Sequence, residues 1–520
     1  MNIVEILREQ AGRAGDAPAI VDRHGPTGFA ELDRAAAAAA RGLLEAGVRA
    51  GDRVLVLVPV SVPLYAVLIG LFRMGATAVL LDPSAGRDHV ERCCALARPR
   101  AFVGAPIAHV LRLVSRAVRQ IPLALTAGGR LPLVRHLPTA SQAPADGSVA
   151  PAAADTPALL TFTSGSTGAP KGVVRSHGFL LAQHRALEES LSLRPGDVQL
   201  TALPVFVLSN LAAGVTSVLP DADLRHPGRI DAAPVLMQIR QHRVRSMVAS
   251  PAFLERVVDA ARGTDDLGGV ERIFTGGAPV FPRLLRGLAD VAPRAALTAV
   301  YGSTEAEPIA KIRVDAIGAE DAAAMRRGAG LLAGAVVPAS DVQVISDRFG
   351  TPIGPFEPPA FEAGALAAGE IGEIVVAGDH VLTSYLDGAG ESETKFRVGS
   401  RVWHRTGDAG YFDARGRLWL VGRCRACIRD EAGTIYPFPV ETAALELPEV
   451  RRAAFVSTGG RRVLVVEVDA GASLEAVRGR LLNDLAWSGI AEVRSLARIP
   501  VDRRHNAKID YPELIRRLGG

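Results

Sequence analysis

At 520 residues the chain is too long for one hydrophobic core, so one large multilayer domain and at least one smaller domain are expected. Its 48% hydrophobic and 22% charged residues are ordinary for a soluble globular protein. The 59 basic residues nearly balance 55 acidic ones, with no block of like charge, which argues against a nucleic-acid partner.

The first 125 residues alternate between helix and strand patterns. An alanine-rich helix is predicted at 29–47, a strand at 53–58, a helix at 64–75, a strand at 78–81, a helix at 87–96 and a strand at 101–103. Such alternation implies parallel sheets covered by helices. Residues 54–72 form an uncharged run of 19, close to the length of a membrane span. Pro59 and Pro63 divide that run into a strand and a core helix, so no membrane span is expected. No secretory leader is read at the N-terminus, and the expected location is the cytoplasm.

Residues 126–157, rich in Pro, Ala and Gly, read as a surface connection, and a strand at 158–162 follows. Short strands are expected at 271–274 and 297–300, then a β-rich stretch at 342–345, 372–377 and 417–421, interrupted by a Pro/Gly/Ala excursion at 348–369. Past Gly422 the pattern becomes a small α+β unit, with strands at 453–457 and 463–468 and a helix at 474–487. The expected fold is therefore α/β: an N-terminal domain of covered sheets plus a β-rich subdomain over 1–422, and a small mobile α+β domain over 423–520. Of the four cysteines, Cys93 and Cys94 are adjacent and Cys424 and Cys427 form a lone C-x-x-C; neither arrangement makes a disulfide framework or a complete zinc site.

Lysine is scarce. Among the 59 basic residues there are four lysines, Lys171, Lys311, Lys395 and Lys508. A lysine kept in an arginine-rich chain suggests a site that needs a compact point charge rather than a planar fork. Lys171 closes the run Thr163-Ser-Gly-Ser-Thr-Gly-Ala-Pro-Lys-Gly172, and Lys508 ends Arg504-His-Asn-Ala-Lys508. The first run is not a Walker loop, yet its three glycines allow close backbone approach to phosphates, and its hydroxyls and Lys171 supply donors. Lys311 and Lys395 are given no comparable role.

These motifs resemble the adenylate-forming superfamily of acyl-CoA synthetases, nonribosomal adenylation domains and luciferases. The resemblance implies that Thr163, Ser164, Gly165, Ser166, Thr167 and Gly168, with Lys171, bind the phosphates of ATP. Phe274-Thr-Gly-Gly-Ala-Pro279 resembles the segment framing adenine and the acyl pocket, which implicates Gly276, Gly277, Ala278 and Pro279. Tyr301-Gly-Ser-Thr-Glu305 resembles the Y-G-x-T-E element, with Tyr301 on adenine, Gly302, Ser303 and Thr304 at the nucleotide, and Glu305 on Mg²⁺. Thr406-Gly-Asp408 matches the element whose carboxylate accepts from the ribose hydroxyls, Arg423 would also reach the ribose, and Arg425 lies at the hinge. Lys508 matches the lysine that bonds the substrate carboxylate and the α-phosphate.

Several departures bear on the second half of the reaction. Leu203-Pro-Val-Phe-Val207 lacks the histidine usual in acyl-CoA synthetases, and the segment completing the thiol tunnel, Gly433-Thr-Ile-Tyr-Pro-Phe-Pro-Val-Glu441, is one residue shorter before its first proline and has Pro439 in place of the first glutamate. Phe274-Thr-Gly-Gly-Ala-Pro-Val-Phe-Pro282, Trp403-His-Arg-Thr-Gly-Asp408 and Pro500-Val-Asp-Arg-Arg-His-Asn-Ala-Lys508 resemble the β-lactone synthetases of bacterial olefin biosynthesis. That branch implies adenylation of a β-hydroxy acid followed by attack of its own hydroxyl, with effective molarity replacing a thiol tunnel. An acyl-CoA or acyl-carrier ligase, or a ligase using another nucleophile in natural-product biosynthesis, is the alternative. ATP and Mg²⁺ are the expected cofactors; a small carboxylic acid, and other enzymes of its pathway, are the expected partners. Phe206, Val207, Asn210 and Glu307 are expected at the substrate pocket. Ser209 and Asn210 read equally as helix caps, and Glu307 reads more simply as a surface pair with Lys311, four residues on. His177 is expected to orient the glycine-rich loop. His404 is expected to be structural, with a general base as the other reading.

Overall fold

The computed structural model describes residues 1–138, 148–164, 170–469, 471–502 and 508–519. Two large sheets organise the N-terminal part. The first has seven strands in the spatial order Arg135–His136, Leu123–Thr126, Ala101–Gly104, Arg53–Leu57, Thr77–Val79, Pro157–Ser164, Pro170–Ser176. All its pairings are parallel except the last, which is an antiparallel hairpin. The second and larger sheet runs from the β-rich strands through Ala306–Arg313, Ala296–Ser303, Arg272–Gly276, Ser246–Ala249 and Val198–Thr201 to Pro18–Asp22.

Burial explains the layering. Successive residues of Arg53–Leu57 face opposite ways: Val54 and Val56 enter one core, while Leu55 enters another with Phe102 and Leu160. A strand buried on both faces needs helices on both faces. The first core holds the helices Phe29–Glu45, Val62–Arg73, His177–Leu191 and Pro204–Ala213 between the two sheets. On its other face the larger sheet packs Leu200, Met247 and Ile273 against Ala233–Gln241, Pro251–Ala261 and Pro282–Val291. The run 54–72 is thus a strand and a core helix. Its helix approaches Phe29–Glu45 so closely that a Cβ at Gly70 would lie 2.9 Å from the Ala36 carbonyl, which accounts for the alanine-rich partner. Among the described residues no helix is long and apolar enough to cross a membrane.

The β-rich stretch continues the large sheet through Leu331–Val336, Leu418–Arg423, Arg401–Phe412, Gly372–Ala377 and Asp341–Ile345. The excursion expected at 348–369 is partly helical: Pro358–Ala363 seats Phe361 against Trp403, with ring centroids 4.7 Å apart. Beyond Arg423 the strands belong to separate small sheets. Val450–Thr458, Arg461–Val468 and Glu492–Ser495 form one of them, with Leu464 and Val466 facing one core and Val463 and Val465 the other. This unit lies against the larger one through Arg286–Glu446 (3.0 Å), Arg429–Asp347 (3.1 Å) and the edge-on pair Phe281–Phe438.

Candidate active site

The two ends of the glycine-rich run lie on the paired strands Pro157–Ser164 and Pro170–Ser176, where Thr163 stands opposite Lys171. Lys171 is therefore fixed on a strand instead of riding on a loop. Gly165, Ser166, Thr167 and Gly168 lie outside the described residues, as does the side chain of Ser164. The Lys171 ammonium is buried and sits 5.5 Å from the centre of the Tyr385 ring, and a Cβ at Gly390 would collide with it. The glycine makes room for the ammonium.

Glu305 occupies the turn joining Ala296–Ser303 to Ala306–Arg313. Its carbonyl accepts from the Leu382 N–H (2.7 Å), and its carboxylate accepts from the Tyr385 hydroxyl at 3.0 Å. The same tyrosine ring carries a second cation, with Lys395 Nζ 5.3 Å from its centre. Lys395 is buried and donates to the Leu382 carbonyl. Burial pushes its ammonium down to about 7, partly offset by the carboxylates of Glu305 and Glu391. The expectation that Lys395 stands apart from the site fails. It faces His404 across the Lys395–Val398/Arg401–Phe412 pair. His404 is buried and donates from Nδ1 to the Thr394 carbonyl (3.2 Å); burial and the nearby Lys395 hold its ring well below the usual range. The scarcity of lysine was the signal that could have found Lys395.

Asp408 gathers a second group of residues. Its carboxylate accepts from the Tyr301 hydroxyl (2.8 Å) and pairs with Arg423 (3.0 Å), which stands directly opposite it in the ladder. The Asp408 N–H donates to the Thr406 hydroxyl, which itself donates to the Ile374 carbonyl at 2.8 Å. Burial and the Asp408 charge raise the Tyr301 phenol well above its usual value, and the same carboxylate raises Arg423. Gly276 pairs in register with Val300 beside Tyr301, and a Cβ there would lie 2.6 Å from the Val300 carbonyl. Gly277, Ala278 and Pro279 continue from that strand end, and Gly277 has φ +82°. Ser303 accepts from the Glu305 N–H (3.3 Å), and the Thr304 carbonyl accepts from Arg175 (2.9 Å).

Lys508 reaches this cluster from the small unit. Its backbone closes a turn with Asp502, donating to the aspartate Oδ1 at 3.0 Å and accepting from its N–H at 2.8 Å. Burial and the charge of Arg423 push its ammonium down, and Asp408, Asp502 and Glu305 oppose that. Residues 504–507 of its motif lie outside the described residues. Glu307 also belongs to this group. Burial pushes its carboxyl up to about 7, against the opposing charges of Arg175 and Lys508.

Other expectations change. Glu307 lies on the strand Ala306–Arg313, not a helix, and Lys311 turns away to the Ser190 carbonyl (3.1 Å), so the surface pair does not form. Asn210 is fully buried with its amide nitrogen 2.9–3.0 Å from Gln199, Thr201 and Ser217, which makes it part of a core network and neither a pocket wall nor a cap. Ser209 likewise pairs with His184 at 3.0 Å. Val207 lies in the central core, and Phe206 packs in a separate cluster with Phe274. His177 accepts from the Ile3 N–H (3.2 Å) and is pushed by burial to about 4, so it anchors the N-terminal segment; the glycine-rich loop it was expected to orient lies outside the described residues. Arg425 stacks over Phe349, 5.2 Å from the ring centre, and reaches Glu393 at 3.9 Å. All four cysteines are free, and no group of three or more candidate metal ligands occurs among the described residues.

The family model for AMP-binding enzymes matches residues 7–386. The chain is 34% identical to olefin beta-lactone synthetases of Stenotrophomonas maltophilia and Xanthomonas campestris pv. campestris, each over 94% of this chain and 90% of the relative. It is 26% identical to 4-coumarate–CoA ligase 3 of Oryza sativa subsp. japonica over 88% of this chain and 80% of the relative. The amide bond synthetase McbA of Marinactinospora thermotolerans shares the fold, with a TM-score of 0.80 at 24% identity over 98% and 99% of the two chains. So does ATP-bound MatB of Rhodopseudomonas palustris, with a TM-score of 0.81 at 21% identity over 99% and 98%. The chain belongs to the AMP-binding enzyme family, and it is an enzyme that adenylates an acid with ATP.

Proposed function

We propose that the chain converts a β-hydroxy carboxylic acid into a β-lactone in two steps at one site. In the first, a carboxylate oxygen attacks the α-phosphorus of ATP, forming the acyl–phosphate bond and breaking the bond to pyrophosphate. The attack joins two anions, so fixed positive charge must lie where negative charge builds. Lys508 fits the attacking carboxylate, and Lys171 fits the departing phosphates. Asp408 and Arg423 fit the ribose, with Tyr301, Gly276, Gly277, Ala278 and Pro279 around adenine. Thr163, Ser164, Gly165, Ser166, Thr167, Gly168, Gly302, Ser303 and Thr304 complete the nucleotide site. Mg²⁺ accompanying a nucleotide takes few protein ligands, and the single carboxylate of Glu305 would suit that role. When bound, the ion would supply neutralising charge on the phosphates.

In the second step the β-hydroxyl oxygen attacks the activated carbonyl carbon. The ring C–O bond forms, the acyl–phosphate bond breaks, the hydroxyl proton is lost and AMP leaves. We assign residues 1–422 as the core domain and 423–520 as the lid, with Arg425 at the hinge. Lid motion would withdraw Lys508 between steps. The observation that carries the lactone reading is the likeness to two β-lactone synthetases over 94% of the chain. It is joined by the missing histidine after Phe206 and the altered tunnel segment at Pro439. The test supplies ATP, Mg²⁺ and a panel of β-hydroxy acids, with and without coenzyme A. A product lighter than the acid by one water, formed without coenzyme A, is expected. A thioester formed strictly with coenzyme A would replace this reading with a ligase.

A further inference from the structure

Tyr385 belongs to none of the sequence motifs, yet separate parts of the site meet on it. Its hydroxyl donates to Glu305 Oε1 at 3.0 Å, and Lys171 and Lys395 lie over its ring, with Nζ 5.5 and 5.3 Å from the centre. The segment that carries it is clamped to both motifs. Val381 bridges to Ala306, the Leu382 N–H donates to the Glu305 carbonyl (2.7 Å), and Tyr385 itself bridges to Val173, on the strand that bears Lys171. Lys395 donates to the Leu382 carbonyl, and the Tyr385 N–H donates to Glu391 Oε1 at 2.8 Å. The tyrosine is buried, so its hydroxyl has one place to go.

Buried charges are ordinarily paired, and two buried ammonium groups around one ring beside a carboxylate could each pair with it. Such a pair would neutralise the charge that a bound cation needs. Neither forms. Lys395 is bonded to a carbonyl, and among the described residues Glu305 makes no ion pair. The side-chain bond that Glu305 does accept comes from a neutral hydroxyl, which fixes the carboxylate through Oε1 and leaves Oε2 without a protein donor among the described residues. The negative face of the ring meanwhile attracts both ammonium groups and gives them a seat other than the carboxylate. Phenylalanine could provide that seat and serine that hydroxyl; tyrosine does both.

We propose that Tyr385 is the positioning residue for Glu305: its hydroxyl holds Oε1, its ring keeps Lys171 and Lys395 from pairing with the carboxylate, and Oε2 is left to the Mg²⁺ that accompanies ATP. The inference rests on the role proposed above for Glu305 and not on lactone formation.

The test is calorimetry of ATP binding to the intact chain without any acid, first in EDTA and then with Mg²⁺. In the wild type Mg²⁺ is expected to tighten binding. Tyr385→Phe keeps the ring and loses the hydroxyl. Its affinity for ATP in EDTA should stay within about twofold of wild type, which also shows that the variant is folded. The gain from Mg²⁺ should fall by about tenfold, the scale of one hydrogen bond to a charged group. In pyrophosphate exchange the Mg²⁺ concentration at half-maximal rate should rise by a similar factor with KM for the acid unchanged, a split that loosened packing would not give. Glu305→Gln is the control. A gain from Mg²⁺ that is absent in the wild type, or that survives Glu305→Gln, overturns the role of Glu305 and this proposal with it. A gain lost in Glu305→Gln but intact in Tyr385→Phe, or a Tyr385→Phe affinity that falls as far in EDTA as with Mg²⁺, overturns the proposal for Tyr385 alone.

Discussion

Lys395 is buried at a cost to the fold, and replacing it should show that cost. An ammonium that titrates near 7 instead of 10.5 is disfavoured in its charged form by about 5 kcal/mol, at ~1.36 kcal/mol per pH unit. Lys395→Met removes that penalty and keeps the apolar stem. It also strips the Leu382 carbonyl of its donor, a loss of about 1–3 kcal/mol. The net expectation at pH 6 is a variant more stable by about 2–4 kcal/mol, which for a chain of this size raises Tm by about 2–4 °C. The sign with pH follows from linkage. Below pH 7 the lysine is charged in both folded and unfolded chains, and the penalty is complete. Between 7 and 10.5 the folded protein has released a proton that the unfolded chain keeps, so the wild type gains on the variant as pH rises. The charged groups facing Lys395 are Glu305, Glu391, Lys171 and His404. The assay is a thermal melt without nucleotide at pH 6, 7.5 and 9, beside pyrophosphate exchange, which should fall at least about tenfold because a cation beside Glu305 is lost. A variant no more stable than wild type at pH 6, or an advantage that grows toward pH 9, would refute the reasoning.

Three further perturbations have definite outcomes. Lys508→Ala should reduce pyrophosphate exchange by about 10³-fold or more while ATP still binds by calorimetry; undiminished exchange would show that the attacking carboxylate is held elsewhere. Arg405 and Glu373 form a fully buried pair at 2.6 and 2.8 Å just before the Thr406–Asp408 element. Arg405→Met should cost about 3–5 kcal/mol in urea denaturation, and adding Glu373→Leu should recover most of it, because the stranded carboxylate is the main penalty. Glu441 is buried and raised to about 7, although its Oε1 accepts from the Phe455 N–H and the Tyr511 hydroxyl. Between pH 4.5 and 7 the folded chain holds a proton that the unfolded chain has lost, so the wild type should lose up to about 3 kcal/mol across that window while Glu441→Gln loses none of it. Parallel melting curves for the two proteins from pH 5 to 8 would sink that assignment.

What the sequence made legible was local. The strand-and-helix alternation, the two prolines that divide 54–72 and the T-G-D element are each written in a few consecutive residues. The errors came where meaning depended on an element's type or its tertiary neighbours. Glu307 and Lys311 would meet at four residues' spacing on a helix, about 5–6 Å apart, but on a strand the same spacing is about 13 Å. Asn210 sits on a helix whose buried face could not be assigned, since apolar residues surround it on every side of Pro204–Ala213. The partners of its amide lie on strands seven to eleven residues away along the chain. Lys395 carried no motif, and its partners Leu382, Tyr385 and His404 come together through the Lys395–Val398/Arg401–Phe412 pairing and the loop before it.

The four lysines show what composition can and cannot carry. Lys171 and Lys395 flank one tyrosine ring at 5.5 and 5.3 Å, with Gly390 pressed against the former. A guanidinium is broader than an ammonium and could not enter either position without displacing that glycine or the ring. The charges of Asp408, Arg423 and Glu305 all act on Lys508, where a second planar fork would compete with Arg423 for the Asp408 carboxylate. Lys311 differs: it donates to the Ser190 carbonyl in the last turn of His177–Leu191, beside Glu189, a helix-end contact that arginine makes equally well. Compactness therefore explains three of the four. Lys171 and Lys395 share the Tyr385 ring whose hydroxyl donates to Glu305, so the phosphate role proposed for Lys171 extends by the same geometry to Lys395.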